Sequence, residues 1–364
     1  MEFNHLHFYV DDLAPWRQWF LTTWRGHLPV SQEGDLQGTL LIYLGKVPLQ
    51  ISDRQSGLGA VSRYLQVHPP GIGDMAFRVR DLDRTLARLL RCGGKVLIPI
   101  QPDRWGRGRW CQVQGWGSLH HTLVESHIAD PWVPGHGATA DLRVDRDSGI
   151  DGIDHAVINV PQQEFSAAVA WYVDQLGLEP QQWFRIETAW SGLHSQVLAS
   201  PEGNVQLPIN EPATPTSQVQ EFLHWNQGAG IQHVALHTSD IFHTVRQLKQ
   251  GGVGFIDVPT TYYQALHRRQ DYQADRPLEA ALNQLKILVD WETSFPHARL
   301  LQTFTQPLLD IPTLFFELIQ RQVVEIQGVP HRARGFGEQN FQALFEAIEQ
   351  EQRKRQTPSG SPEP

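Results

Sequence analysis

The chain has 364 residues, of which 40% are hydrophobic and 19% charged, and its formal net charge is -9 at pH 7. This composition is that of a globular protein long enough for two domains, and the negative charge argues against a nucleic-acid partner. No apolar run is long enough to span a bilayer, the N-terminus lacks a basic-then-apolar leader pattern, and two cysteines are too few for a thiolate metal cage. We therefore expect a cytoplasmic protein with no membrane partner, in which histidines and carboxylates hold any metal.

Short strands and amphipathic helices are predicted to alternate along the chain. The first half begins with the strand HLHFYV, and a second strand, MAFRV, precedes a helix over LDRTLARLLR that glycine ends. The second half has the same order and starts its units with HAVINV and HVALHT. The other predicted strands are TLLIYL, LQIS, WCQVQ, LHHTLVE, SQVLAS, VQLPI, LLQTF and TLFFELIQ. Each unit therefore follows the order β-α-β-β-β.

One phrase recurs at the start of these units. Residues 152–160 read GIDHAVINV, residues 230–238 read GIQHVALHT, and residues 71–79 read GIGDMAFRV. The chain start, NHLHFYV, aligns in the same way and places His5 on His155. Such self-similarity indicates four repeated units, which form two pseudo-symmetric halves.

This modular pattern resembles the vicinal-oxygen-chelate fold, in which paired βαβββ modules curl into an open barrel around a metal. The resemblance implies an α+β protein whose four modules form two open-barrel halves. Residues 1–135 are expected to be a half without a complete metal site, and residues 150–352 the catalytic half with a C-terminal gating helix. Residues 127–150 contain prolines and glycines typical of a linker, and residues 353–364 have the composition of a disordered tail.

A metal site is predicted where the repeated phrase places histidine twice. Pseudo-symmetry would bring His155 and His233 to the mouth of one barrel, and Glu317 in TLFFELIQ offers a carboxylate on the last strand. Two histidines and one carboxylate suit non-haem Fe(II), whereas zinc more often takes a tetrahedral set. The alternative for Glu317 is a solvent-facing side chain or an ion pair with Arg321.

The first half lacks the equivalent set. His5 aligns with His155, but Asp74 stands in place of His233, and Thr122 falls opposite Glu317. We expect this half to buttress the catalytic one and to help assembly.

Several motifs of the second half occur in the right order for one family. They are SGLHSQVLAS, LPINEP, GAGIQHVAL, PTTYY, FFELIQR and GFGEQNFQALF. This run resembles the 4-hydroxyphenylpyruvate dioxygenase family. The resemblance implies Fe(II) as the cofactor and 4-hydroxyphenylpyruvate and O2 as substrates, with homogentisate and CO2 as products. Homogentisate formed in this way would serve either tyrosine catabolism or quinone and tocopherol synthesis. The resemblance also implies a homo-oligomer, either a dimer or a tetramer.

The resemblance assigns further roles in the substrate pocket. It implies that Phe304 and Phe341 sandwich the aromatic ring. The implied polar contacts are Ser195, Asn210, Gln218, Gln232 and Gln302, and the implied wall and gate residues are Pro208, Phe315, Phe336, Asn340 and Leu344. Without the flanking motifs, the glutamines would be interpreted as surface residues. Two positions depart from the family pattern: His194 replaces an asparagine, and Gln339 replaces a glycine.

The C-terminal helix and the reaction each have alternatives. Phe341, Leu344, Phe345 and Ile348 recur at helical spacing, which is typical of an ordinary docked helix as well as of a gate over the substrate. The alternative reactions are that of 4-hydroxymandelate synthase, which shares substrate and metal, and that of an extradiol dioxygenase. A non-catalytic ligand-binding protein on the same fold is a further alternative. Pro208, Asn210 and Phe304 favour the homogentisate-forming reaction.

Overall fold

The computed structural model describes residues 1–29, 37–129, 131–137, 149–188, 190–269, 272 and 276–356. Within them the chain forms two large mixed sheets, one from each half, and a separate short hairpin. None of the helices in this described part combines the length and the hydropathy needed to cross a bilayer.

The first sheet contains seven strands in the order β2-β3-β1-β4-β7-β6-β5. Its strands are β1 (Glu2–Tyr9), β2 (Thr39–Leu44), β3 (Val47–Ser52), β4 (Gly71–Arg78), β5 (Val96–Pro102), β6 (Gly108–Gln114) and β7 (His120–Ser126). Its helices are α1 (Leu13–Thr22), α2 (Gly59–Tyr64) and α3 (Leu82–Arg91).

The second sheet contains eight strands in the order β13-β14-β15-β12-β8-β11-β10-β9. Its strands are β8 (Ile150–Asn159), β9 (Glu179–Glu187), β10 (Gly192–Ala199), β11 (Gln206–Pro212), β12 (Gly230–Thr238), β13 (Leu288–Trp291), β14 (Arg299–Phe304) and β15 (Phe315–Arg321). Its helices are α4 (Phe165–Leu176), α5 (Gln218–Asn226), α6 (Ile241–Gly251), α7 (Thr260–Leu266), α8 (Arg276–Leu285) and α9 (Glu338–Gln356). The hairpin of β16 (Val323–Ile326) and β17 (Val329–Arg332) leads from β15 towards α9.

The predicted vicinal-oxygen-chelate fold is confirmed. In both sheets the strands that carry the repeated phrase, β1 with β4 and β8 with β12, pair antiparallel at the centre. The second and third modules show the β-α-β-β-β order, the fourth has three helices, α6 to α8, between its first strand and its last three, and the described residues of the first contain β1, α1, β2 and β3. α9 continues to Gln356 and so includes the first four residues of the predicted tail, residues 353–356, while residues 357–364 lie outside the described ones.

Aligned residues of the repeat perform the same local task in both halves. Asp81 caps α3 by accepting a hydrogen bond from the backbone N–H of Arg84, and Asp240 caps α6 through that of His243. The two halves also share a core. Trp24 of the first half packs edge-on against Phe316 of β15, with ring centroids 4.9 Å apart.

Candidate metal centre

The three side chains predicted as metal ligands lie on three neighbouring central strands. His155 lies on β8, His233 on β12 and Glu317 on β15. The ladder pairs Ala235 of β12 with both His155 and Glu317. Because residues two apart on a strand share a face, His233 projects from the same face as Ala235. The three side chains therefore meet on one face of the sheet.

The ligand atoms of these three side chains are close enough together to coordinate one metal ion. Nε2 of His155 lies 3.3 Å and Nε2 of His233 lies 3.6 Å from Oε2 of Glu317. All three ligand atoms lie within 4.8 Å of one another, and each side chain is buried. This is the one such group of His, Cys, Asp or Glu in the part of the chain that the structure describes.

A β-bulge positions the residue that orients His155. The ladder pairs Ala235 with His155 and then Leu236 with Ile153, so Asp154 is the extra residue of β8. The bulge brings the Asp154 carboxylate beside the imidazole, with Oδ1 2.9 Å from Nδ1 of His155. A proton held on Nδ1 by this carboxylate leaves the Nε2 lone pair free for a metal.

A second bulge does the same for the other histidine. Gln232 is the extra residue of β12, and its Oε1 lies 3.3 Å from Nδ1 of His233. On its other side the His233 ring stacks on Phe315, with centroids 4.7 Å apart. Both imidazoles therefore direct Nε2 towards Glu317 and have a partner at Nδ1.

The charges of the site favour a bound cation. Burial is the largest influence on the pKa of His155 and lowers it, but Glu317 and Asp154 together outweigh burial and raise the pKa to about 9. Burial, aided by the nearby His155, holds the pKa of His233 well below its ordinary value. Two imidazoles and a carboxylate, backed by a second carboxylate, form a donor set that fits a divalent transition metal such as Fe(II).

The three residues open onto an apolar chamber inside the second barrel. Its other wall residues are Val157, Phe184, Ser195, Pro208, Asn210, Gln302, Phe304, Phe336, Phe341 and Leu344. Strands supply one side of this wall, and α9 closes it with Phe341 and Leu344. The free volume is about 30 Å³, space for little more than water.

A hydrogen-bond chain joins the carboxylate of Glu317 to α9. Gln302 donates from Nε2 to Oε1 of Glu317 at 2.9 Å and accepts at Oε1 from the amide of Asn340 at 2.8 Å. Tyr262 donates to the Asn340 side-chain oxygen at 2.9 Å. Gln302 and Asn340, both predicted for the pocket, are thus engaged in holding Glu317 and the first turn of α9.

The opposite wall presents a free polar atom. Asn210 lies across the β10–β11 ladder from Ser195 and donates from Nδ2 to Asn159 at 3.2 Å. Its buried Oδ1 has no hydrogen-bond partner among the described residues. A buried acceptor in this state is costly unless a ligand or water satisfies it.

Four predicted pocket residues do not line the chamber, and one of them, Asn340, instead holds Gln302 from behind the wall. Gln218, Gln232 and Phe315 line a neighbouring cavity of about 410 Å³ instead. Gln218 starts α5, which lies outside the barrel wall, and the bulge commits Gln232 to Nδ1 of His233. Phe315 supports the outer face of the His233 ring.

Sequence reasoning missed several contributors. Val157 and Phe184 line the chamber, and the sequence shows nothing that separates them from ordinary core residues. Arg321 was weighed as a partner of Glu317 but pairs with Asp154, at 2.7 Å from Nη2 to Oδ1. The bulge that brings Asp154 inward leaves no signal in a strand pattern of period two.

Neither of the two residues that depart from the family pattern, His194 and Gln339, lines the chamber. Nδ1 of His194 lies 3.0 Å from Oε1 of Glu211 outside the chamber. Gln339 donates its backbone N–H to Asp290 at the start of α9.

The equivalent position of the first half carries no such ligand set. Asp74 is fully buried and accepts hydrogen bonds from Thr122, through its hydroxyl and its backbone N–H, and from Gln112 at 2.7 Å. The bulge is conserved between the halves, because Asn4 is the extra residue before His5, and its Oδ1 lies 2.6 Å from Nδ1 of His5.

Comparison with known proteins gives the relatives of the chain. Residues 152–270 match the model of the Glyoxalase/Bleomycin resistance protein/Dioxygenase superfamily. An uncharacterized Synechocystis protein is 37% identical over 98% of this chain and 100% of its own. A 4-hydroxyphenylpyruvate dioxygenase of Caenorhabditis elegans is 32% identical over 97% of this chain and 92% of its own, and that of Xenopus tropicalis is also 32% identical.

A solved structure agrees with the fold. A triple mutant of 4-hydroxymandelate synthase from Streptomyces coelicolor superposes with a TM-score of 0.81 at 24% identity, over 96% of this chain and 98% of that one.

Proposed function

This chain belongs to the 4-hydroxyphenylpyruvate dioxygenase family, an enzyme family of the glyoxalase and dioxygenase superfamily, and from this premise we propose that it converts 4-hydroxyphenylpyruvate and O2 into homogentisate and CO2. The observation that carries the proposal is the buried convergence of His155, His233 and Glu317 in one closed chamber. We further propose a cytoplasmic location, a homo-oligomeric state and a first half that has no metal.

Fe(II) is the metal that we propose for the three ligands. Bound there, it would supply coordination of the 2-oxo acid and activation of O2. The chain fixes the donors in advance, because Asp154 and Gln232 set the two imidazoles and Gln302 holds the carboxylate. Ligands held by such partners need little rearrangement when the metal arrives.

The aromatic ring of the substrate fits the apolar part of the chamber. Phe304 on β14 and Phe341 on α9 both line it, and face-on or edge-on packing against their rings would hold a phenyl group and exclude water. The free Oδ1 of Asn210 can accept the hydrogen bond of a phenol hydroxyl. Pro208 completes this wall and, with Asn210 and Phe304, favours the homogentisate-forming reaction over that of 4-hydroxymandelate synthase.

We propose that the closed chamber opens by a movement of α9 during turnover. An arylpyruvate is larger than the free volume of about 30 Å³, so wall side chains must shift for it to bind. Phe341 and Leu344 are the wall residues carried by the terminal helix, which follows two glycines at positive φ, Gly335 and Gly337. Reclosure would then seal the reaction from water.

Product identification tests the proposal. Anaerobic loading with Fe(II), addition of 4-hydroxyphenylpyruvate and admission of O2 should yield homogentisate with one CO2 per turnover. Formation of hydroxymandelate instead would support the metal centre but show that the chain oxidises the benzylic carbon. Bound iron without O2 uptake would refute the dioxygenase and favour a binding protein.

A further inference from the structure

We propose that Arg321 is a positioning residue, which fixes the metal ligand His155 through Asp154 and fixes the chamber wall at Phe336 through the carbonyl of Gly335. This inference rests on the proposed metal centre. It assigns a role to a residue that touches neither the three ligands nor the chamber.

The first contact of Arg321 is a two-pronged ion pair. Its Nε lies 2.7 Å from Oδ2 of Asp154 and its Nη2 lies 2.7 Å from Oδ1. Both side chains are about 5% exposed. Parallel bonds from a planar guanidinium to a carboxylate fix the carboxylate in rotation as well as in place.

That constraint is transmitted to His155. The same Oδ1 of Asp154 that accepts from Arg321 lies 2.9 Å from Nδ1 of the imidazole. A carboxylate on a bulged residue would otherwise be able to turn away, because the bulge frees it from the alternation of the strand. With Arg321 in place, the ring plane of His155 and the direction of its Nε2 lone pair are both set.

The second contact of Arg321 lies on the chamber wall. Its Nη1 donates to the carbonyl oxygen of Gly335 at 2.7 Å. The next residue, Phe336, packs edge-on against His155 with centroids 5.1 Å apart. Gly335 and Gly337 on either side have φ values of 73° and 68°, so the segment has few steric restraints of its own. Arg321 therefore anchors this wall segment at Gly335, while Gln302 holds the next carbonyl, that of Phe336, at 3.2 Å.

The wall that Arg321 holds separates two spaces. Phe336 lines the metal chamber and also an outer cavity of about 870 Å³, in whose wall Arg321 and Asp154 lie. The guanidinium of Arg321 thus links the metal ligand His155 to the wall segment around Phe336.

A second arginine of the chain provides a matched control. In the first half Arg107 contacts Asp103 through Nε and Nη2, each at 2.8 Å, and donates to the carbonyl of His136 at 2.7 Å. Its side chain is 6% exposed. Removing the Arg107 guanidinium therefore breaks the same two kinds of contact as removing that of Arg321. It breaks a buried bidentate ion pair and a hydrogen bond to a carbonyl, at a site without metal ligands.

The experiment measures metal affinity and catalysis separately. Anaerobic calorimetric titration with Co(II), as a redox-stable probe, is performed on wild type, R321M, R321K, D154N and R107M. We expect R321M and D154N to weaken Co(II) binding by about 10- to 100-fold, the usual effect of losing the partner of a ligating histidine. R321K should recover part of the affinity, since an ammonium can satisfy one acceptor but not the fork. R107M should bind Co(II) as wild type does, although its thermal midpoint falls as far as that of R321M.

Steady-state kinetics at saturating Fe(II) adds the second readout. We expect R321M to raise KM for 4-hydroxyphenylpyruvate, because the Phe336 wall loses its anchor, and D154N to leave KM nearer to wild type. Wild-type Co(II) affinity in R321M, or an equal loss in R107M, would overturn the positioning role and leave the proposed function intact. Failure of the wild type itself to bind metal would overturn both. If R321M does not fold, R321K and D154N carry the same comparison.

Discussion

Docking of α9 is predicted to depend on Phe345. The Phe345 side chain is fully buried against Ile186, Leu193, Val219, Phe222 and Leu223, one helical turn after Phe341, which packs on the same cluster. Phe345→Ala should cost about 3–5 kcal/mol, because a ring with no exposure leaves a cavity that strands and α5 cannot refill. If the whole cost applies to the equilibrium between docked and undocked α9, the population of the undocked helix rises by about a hundred- to a few-thousand-fold.

Hydrogen exchange followed by mass spectrometry measures this population directly. We expect faster exchange of α9 amides in F345A, unchanged metal binding because the ligands lie on strands, and a lower yield of product per O2 consumed. Phe77→Ala is the control, since Phe77 is equally buried but lies in the first half. Wild-type exchange of α9 in F345A, or equal acceleration in F77A, would refute the reasoning.

Three further predictions concern the metal and the buried histidines. His233→Ala should abolish metal content measured by elemental analysis while His5→Ala keeps it, and a halved content in H5A would show that the first half binds metal. A chelator should lower the thermal midpoint of wild type and leave that of Glu317→Ala unchanged, since only a chain that binds metal gains stability from it. Burial lowers the pKa of His121 to about 4, so between about pH 6.5 and pH 4 the unfolded chain binds more protons and stability falls as pH falls. At about pH 5 the buried imidazole of His121 should lower the free energy of unfolding by about 2 kcal/mol. Urea titrations of His121→Asn should show a pH dependence of stability that is shallower by that amount, and an unchanged pH dependence would contradict the assignment.

The repeated phrase is the reason that the modules and the metal ligands can be predicted from the sequence. The repeated phrase placed His155 and His233 at equivalent positions of two modules, and the pairing of those modules then fixed their proximity. Glu317 followed because a carboxylate within an apolar strand requires a partner. The modules and the ligand positions follow from periodicity, symmetry and the cost of a buried carboxylate, whereas the barrel is implied by the resemblance to the vicinal-oxygen-chelate fold.

The surroundings of the ligands could not be predicted in the same way. Asp154 and Gln232 lie beside Nδ1 of the histidines because each is the extra residue of a bulge, and a bulge depends on the register of two strands. The sequence offers Glu317 as an alternative partner of Arg321 because the two are near in sequence, whereas Asp154, the observed partner, is near Arg321 only in space. Gln218 and Phe315 were assigned to the pocket by motif, and the paths of α5 and β15 place them behind its wall.

The shared bulges have a consequence for protein engineering. Asn4 stands before His5 as Asp154 stands before His155, so the first barrel already has a histidine with an oxygen at its Nδ1. Two substitutions, Asp74→His and Thr122→Glu, would place the remaining ligand types on the matching strands. The duplicated framework thus offers the first barrel as a starting point for the design of a second metal centre.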